Sequence, residues 1–132
     1  MRINGLAHIG LYTKDIQKSQ EFYEMLGARC YTKGEIMKPN GLTQLAMLRL
    51  GDFNLELIQP GDGVIPEGVE GIWTHIALEV ERIEEVVAEL KEAGVNTFVT
   101  ETINHNPTLF GGIKNIFFYG PNGEKIELLE QA

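Results

Sequence analysis

Hydrophobic and polar positions alternate along Leu6–Thr13 and again along Ile72–Val80. In the second stretch Ile76, Leu78 and Val80 share one side, and Trp73, His75 and Ala77 share the other. Alternation of this kind predicts a strand with one packed face and one open face. A helical pattern follows each strand. Asp15 is suited to cap a helix over Ile16–Leu26, whose Ile16, Phe22, Tyr23 and Leu26 fall near one side, and Gly27 is suited to end it. In the second half Ile83, Val86, Val87, Leu90 and Ala93 recur at i, i+3, i+4, i+7 and i+10, up to Gly94. Three strands are then expected in each half. In the first they are Ala28–Met37, Leu45–Leu50 and Asn54–Gln59, with turns at Pro39-Asn40-Gly41 and Gly51-Asp52. In the second they are Val95–Thr100, Lys114–Tyr119 and Lys125–Glu130, interrupted by a polar loop over Thr102–Gly112 and a turn at Gly120-Pro121-Asn122-Gly123.

The two halves keep the same spacing. From His8 to Ile16 is eight residues and to Gly27 nineteen; from His75 to Ile83 and to Gly94 the intervals repeat. The chain therefore reads as a duplicated β-α-β-β-β unit. Module one spans 1–59 and module two spans 72–132, and the glycine- and proline-rich stretch 60–71 joins them. The expected fold is α+β: two modules forming cupped mixed sheets with their helices outside, together one domain.

A chain of 132 residues can bury roughly 70% of its unfolded surface, enough for one core. Apolar residues make up 43% and charged residues 23%, an ordinary globular balance. Eleven basic against nineteen acidic residues give a net charge of −8, which disfavours nucleic acid or an anionic membrane as partner. No apolar run suggests a leader or a membrane span, and Cys30 stands alone, without a disulfide partner. A cytoplasmic protein acting on a small molecule is the expectation.

The duplication also pairs two carboxylates. Glu56 lies between Leu55 and Leu57, and Glu127 between Ile126 and Leu128, near the ends of their modules. By parity both project from the face opposite the packed one, as His8 and His75 do. A lone strand histidine is usually structural, but four such residues at duplicated positions are a coherent set. Burying two carboxylates without a partner is costly, and a shared cation removes the cost. Two imidazoles and two carboxylates without thiolates suit an open octahedral site, so His8, Glu56, His75 and Glu127 are the candidate metal ligands. Trp73 and Tyr12 are candidates to line the cavity. His105 reads as a solvated loop residue and Arg49 as a surface charge. Phosphate-binding glycine loops, nucleophile elbows and zinc-protease helices are absent.

The doubled plan and this quartet resemble the vicinal oxygen chelate superfamily (glyoxalase, bleomycin resistance protein, dioxygenase). Its most specific pieces here are Thr74-His75-Ile76-Ala77-Leu78-Glu79-Val80 and Gly120-Pro121-Asn122-Gly123-Glu124-Lys125-Ile126-Glu127-Leu128. A His-Glu-His-Glu set is similar to that of glyoxalase I, the lactoylglutathione lyase. The resemblance implies a divalent ion (Ni, Co or Zn, with Mn or Fe as alternatives). It implies proton abstraction from a chelated hemithioacetal or related 2-hydroxy carbonyl compound through an enediolate. Glu127 would be the main base and Glu56 its counterpart on the opposite face. It also implies a homodimer, with the site formed within one chain or across two. The chain departs from the glutathione-dependent bacterial enzymes at Tyr12 and Pro60, where they typically carry Arg and Asn. Another thiol or another enolisable substrate is thus open. The alternatives are a methylmalonyl-CoA epimerase-like enzyme, whose members usually carry Gln at the position of Glu56, and a non-catalytic small-molecule-binding protein.

Overall fold

The structure is a computed structural model, and it describes residues 7–67 and 75–132. The chain divides into two compact units between Gly68 and Val69.

Alternation in the first unit yields β1 (Ile9–Tyr12), followed by α1 (Ile16–Met25), β2 (Arg29–Lys38), β3 (Gly41–Leu50) and β4 (Phe53–Gln59). The sheet order is β1-β4-β3-β2. β1 runs parallel to β4, while β3 is antiparallel to both its neighbours. Asp15 caps α1 by accepting from the Lys18 N–H at 3.0 Å. Gly27 leaves the helix at φ 104°, a conformation that glycine adopts without steric cost. α1 lies against β2, β3 and β4. Ala46, Leu48, Leu55, Leu57 and Tyr23 are buried. Two polar ties fix the start of the helix: the Thr13 and Ser19 hydroxyls share a 2.8 Å hydrogen bond, and the Ile16 N–H donates to Gln59 Oε1 at 2.7 Å.

The second unit repeats the plan with β5 (Ile76–Glu79), α2 (Ile83–Glu92), β6 (Asn104–Asn106), β7 (Ile113–Tyr119) and β8 (Lys125–Gln131), in the order β5-β8-β7-β6. The sheet is again mixed, with β5 parallel to β8. The apolar stripe of α2 buries Ile83, Val87 and Leu90. Ile116, Phe118, Ile126 and Leu128 are almost wholly inaccessible. Fully burying such a side chain contributes about 1.5–3 kcal/mol. Outside this core, Lys114 Nζ donates to Glu84 Oε1 at 2.8 Å. That hydrogen bond holds the Glu84 carboxyl below its ordinary range and the Lys114 ammonium above it. Both side chains reach solvent, which screens the pair, so it adds little to stability.

Two four-stranded mixed sheets, each with one helix, are the α+β arrangement that the spacing predicts. One element differs. Val95–Thr100 is not a continuous strand: only Phe98 forms a bridge, to Phe118, supported by Val99 N–H donating to the Phe117 carbonyl at 2.9 Å. The edge strand β6 instead comes from Asn104-His105-Asn106, inside the expected loop. β7 thus has its outer edge covered in two pieces. Three exposed polar residues carry no alternation, so hydrophobic pattern could not reveal the second piece. The expected start of β5 at Ile72-Trp73-Thr74 lies outside the described residues.

Candidate functional site

Parity along β4 and β8 decides where the carboxylates point. Leu55 and Leu57 are 3% and 0% exposed, and Ile126 and Leu128 are 1% and 2% exposed, so these neighbours fill the helix-facing core. Glu56 and Glu127 therefore stand on the other face. The parallel pairing then brings a histidine to each. Gly10 is opposite Glu56 and Ala77 is opposite Glu127. His8 and His75 sit two residues earlier, just before β1 and β5, and so share the carboxylates' face. His8 Nε2 is 3.6 Å from Glu56 Oε1, and His75 Nε2 is 3.1 Å from Glu127 Oε1.

Adjacent ligands on one divalent ion, each about 2.1 Å from the metal, are about 3 Å apart. The His75–Glu127 pair fits that requirement at 3.1 Å, the His8–Glu56 pair is wider at 3.6 Å, and the donor set of imidazole nitrogen and carboxylate oxygen suits a first-row ion. Each pair could offer two ligands. Among the described residues no group of three or more His, Cys, Asp or Glu side chains converges on one point.

The pairs differ in their surroundings. Glu127 Oε2 accepts a 2.6 Å hydrogen bond from Asn115 Nδ2 on β7, and the Glu127 side chain is 10% exposed. Phe117, directly across from Glu127, meets the His75 ring edge-on at 5.4 Å between centroids. Lys125 Nζ lies 4.7 Å from the centre of the same Phe117 ring. In module one the residue across from Glu56 is Met47, the position matching Asn115 is Leu45, and the Glu56 side chain is 23% exposed. Asn115 and Phe117 escaped the sequence reading. Their signal is register: with the hairpin turn at Gly120–Gly123 fixed, counting back along β7 brings both beside Glu127 on its face.

The remaining candidates fall elsewhere. His105 pairs with Lys114 on β6 and β7, and Lys114 reaches Glu84 of α2, so this histidine is on the helix side, away from Glu127. Arg49 is an exposed residue that donates to the Gly51 carbonyl and the Asn54 side chain. Tyr12 is exposed on β1, and Trp73 lies outside the described residues. A groove of about 480 Å³ opens between α1 and the β2–β3 hairpin, bordered by Gln17, Gln20, Lys33, Glu35 and Gln44; no ligand candidate lines it.

Comparison with known proteins identifies the family and the fold. Residues 7–117 match the family described as the glyoxalase/bleomycin resistance protein/dioxygenase superfamily. A glyoxalase family protein from Enterococcus faecalis is 31% identical with a TM-score of 0.73, over 98% of this chain and 100% of that one. A glyoxalase family protein from Bacillus cereus shares the fold at 17% identity and a TM-score of 0.74, over 98% of this chain and 95% of that one. So does the fosfomycin resistance protein FosX from Listeria monocytogenes, solved with manganese(II) and sulfate, at 20% identity and a TM-score of 0.68 over 99% and 95%. With most of its length matched, the chain belongs to the glyoxalase/bleomycin resistance protein/dioxygenase superfamily.

Proposed function

We propose that the protein is a divalent-metal-dependent lyase or isomerase of the glyoxalase I kind, acting on a hemithioacetal or a related 2-hydroxy carbonyl compound. The observation that carries this reading is the repeated His–Glu pair on the face of each sheet opposite its helix, at 3.6 Å in the first and 3.1 Å in the second. His8, Glu56, His75 and Glu127 would hold the ion. When bound, it supplies the Lewis acidity that polarises a substrate carbonyl. The chain's own part is proton transfer. One glutamate takes the carbon-bound proton, and a proton returns to the neighbouring carbon. Return to the same carbon would be an epimerisation, so the two outcomes share every residue.

Tyr12 and Pro60 stand where glutathione-dependent relatives anchor their thiol, which argues for a panel of thiols over glutathione alone. The test is an assay of metal-reconstituted protein against hemithioacetals of several thiols, read as solvent-deuterium incorporation. Metal-dependent incorporation is expected. Full-rate exchange by metal-free protein, or elemental analysis finding no bound metal after reconstitution, would overturn the reading in favour of a small-molecule-binding role.

We also infer a homodimer. β2 is a ten-residue edge strand of the first sheet, and it leaves Tyr31, Ile36 and Met37 exposed. A long edge with apolar side chains invites pairing, and a second copy would cover it. Light scattering at micromolar concentration should give twice the 14.7 kDa chain mass. A strictly monomeric species would refute this.

A further inference from the structure

His8 lies one residue before the first sheet takes hold of the chain. β1 begins at Ile9, whose register partner is Leu55. Carried back one position, that register sets His8 beside Asn54, which shares its face with Glu56. Here a side chain ties the strand in: Asn54 Nδ2 donates to the Ala7 carbonyl at 3.0 Å. Arg49, directly across from Asn54 on β3, donates from Nη1 to Asn54 Oδ1 at 3.3 Å. A guanidinium only donates and a carbonyl only accepts, so the amide satisfies both in one orientation, with its NH2 toward Ala7. Arg49 is itself braced. Its Nε donates to the Gly51 carbonyl at 2.9 Å, and its Nη2 lies 3.7 Å from Asp52 Oδ1. Module two is built differently: Tyr119 and Lys125 hold the equivalent positions, and Lys125 lies over the Phe117 ring that meets His75. Among the described residues no aromatic ring meets His8. The histidine without a ring against it is the one whose backbone carries the tie.

We propose that Asn54 is a positioning residue for His8, holding its imidazole toward Glu56, and that Arg49 acts through Asn54 by fixing the amide. This rests on the metal-dependent reading above. His8 Nε2 is 3.6 Å from Glu56 Oε1, wider than the pair in module two. Fraying at Ala7 and His8 would widen that gap and spread the imidazole over orientations that cannot share an ion with Glu56. The tie removes this freedom beforehand, so binding does not have to order the histidine. Arg49 is then more than the surface charge that its place in the sequence suggests.

Two readouts separate the tie from the metal site. Nitrogen relaxation at the His8 amide of metal-free protein reports backbone order, and Co(II) titration reports affinity and, by visible absorption, the ligand set. Wild-type His8 should have an order parameter of about 0.85, that of rigid backbone. Asn54→Leu keeps the side-chain size but removes the donor, and should lower this value below about 0.6. It should also alter the Co(II) spectrum and weaken binding by about 10-fold or more, as loss of an outer-shell partner does. Arg49→Met should loosen His8 and weaken Co(II) binding in the same direction, by less. The double variant should match Asn54→Leu alone, because Arg49 reaches His8 only through the amide. Circular dichroism should show all three folded, since both residues lie on the face opposite the buried Ala46, Leu48 and Leu55. Either an ordered His8 or an unchanged Co(II) affinity in Asn54→Leu would overturn the proposal. Additive losses in the double variant would overturn the part given to Arg49. Should Asn54→Leu fail to fold, Arg49→Met decides, and wild-type order at His8 in that variant would overturn the tie. Failure of the wild-type protein to bind Co(II) would instead overturn the metal site, and the His8 order parameters would then judge the tie alone.

Discussion

Replacing His75 with alanine is expected to abolish stoichiometric binding of a divalent ion while leaving the chain folded. The imidazole Nε2 is 3.1 Å from Glu127 Oε1, the closer of the two His–Glu pairs, and the Phe117 ring packs edge-on against it. In this reading, removal takes away one of four protein ligands. Loss of an outer-shell partner alone typically costs 10- to 100-fold in affinity, so loss of a direct ligand should exceed about 10²-fold. The fold should survive because His75 is exposed and shares the face of Glu127, opposite the buried Ile126 and Leu128. The measurement is metal content by elemental analysis after reconstitution and dialysis, beside the thermal transition by circular dichroism. Full metal occupancy in the variant would show that His75 is a structural residue and that the ligand set has been misassigned.

The largest effect on stability should come from Phe118→Ala. Phe118 is 0% exposed and heads the fully buried side chains by volume. It lies on the helix-facing side of β7, across from Ile126, and its ring meets Phe98 at 5.3 Å between centroids. Phe98 is also its partner in the isolated bridge that holds the outer edge of β7. Truncation removes the ring from the core and leaves a cavity, at a cost of about 3–5 kcal/mol. That is a large share of the roughly 5–15 kcal/mol that holds a domain together. The midpoint of urea unfolding should fall by more than about 1 M with little change in slope. Phe110→Ala is the matching control. Phe110 is 77% exposed, and its removal should stay within about 0.5 kcal/mol. Equal midpoints for the two variants would mean that the inward face of β7 has been misread.

Much of the architecture was written in local pattern. Alternation around His8 and His75, the stripe from Ile83 to Ala93, and the glycines that end both helices are one-dimensional signals, and each element they predict is present within a few residues. Parity has the same origin. Because a strand's side chains alternate strictly, burial of Leu55 and Leu57 places Glu56 on the opposite face, and Ile126 and Leu128 do the same for Glu127. The pairing of each histidine with its own glutamate follows from duplicated spacing once the first strand of each module runs parallel to the last.

What tertiary structure alone decided involves contacts between distant segments. The edge strand at Asn104–Asn106 forms because β7 has backbone groups left to pair, and three exposed polar residues show no period of their own. The bond from Asn115 to Glu127 depends on the hairpin register, and one residue of slip would turn Asn115 to the other face. The inequality of the two carboxylates arises in the same way. Sequence symmetry made Glu56 and Glu127 interchangeable, and the neighbouring strands separate them, with an amide beside one and Leu45 beside the other. A side chain's type can be read from the chain, but the group that holds it in place lies on another strand, and only folding brings the two together.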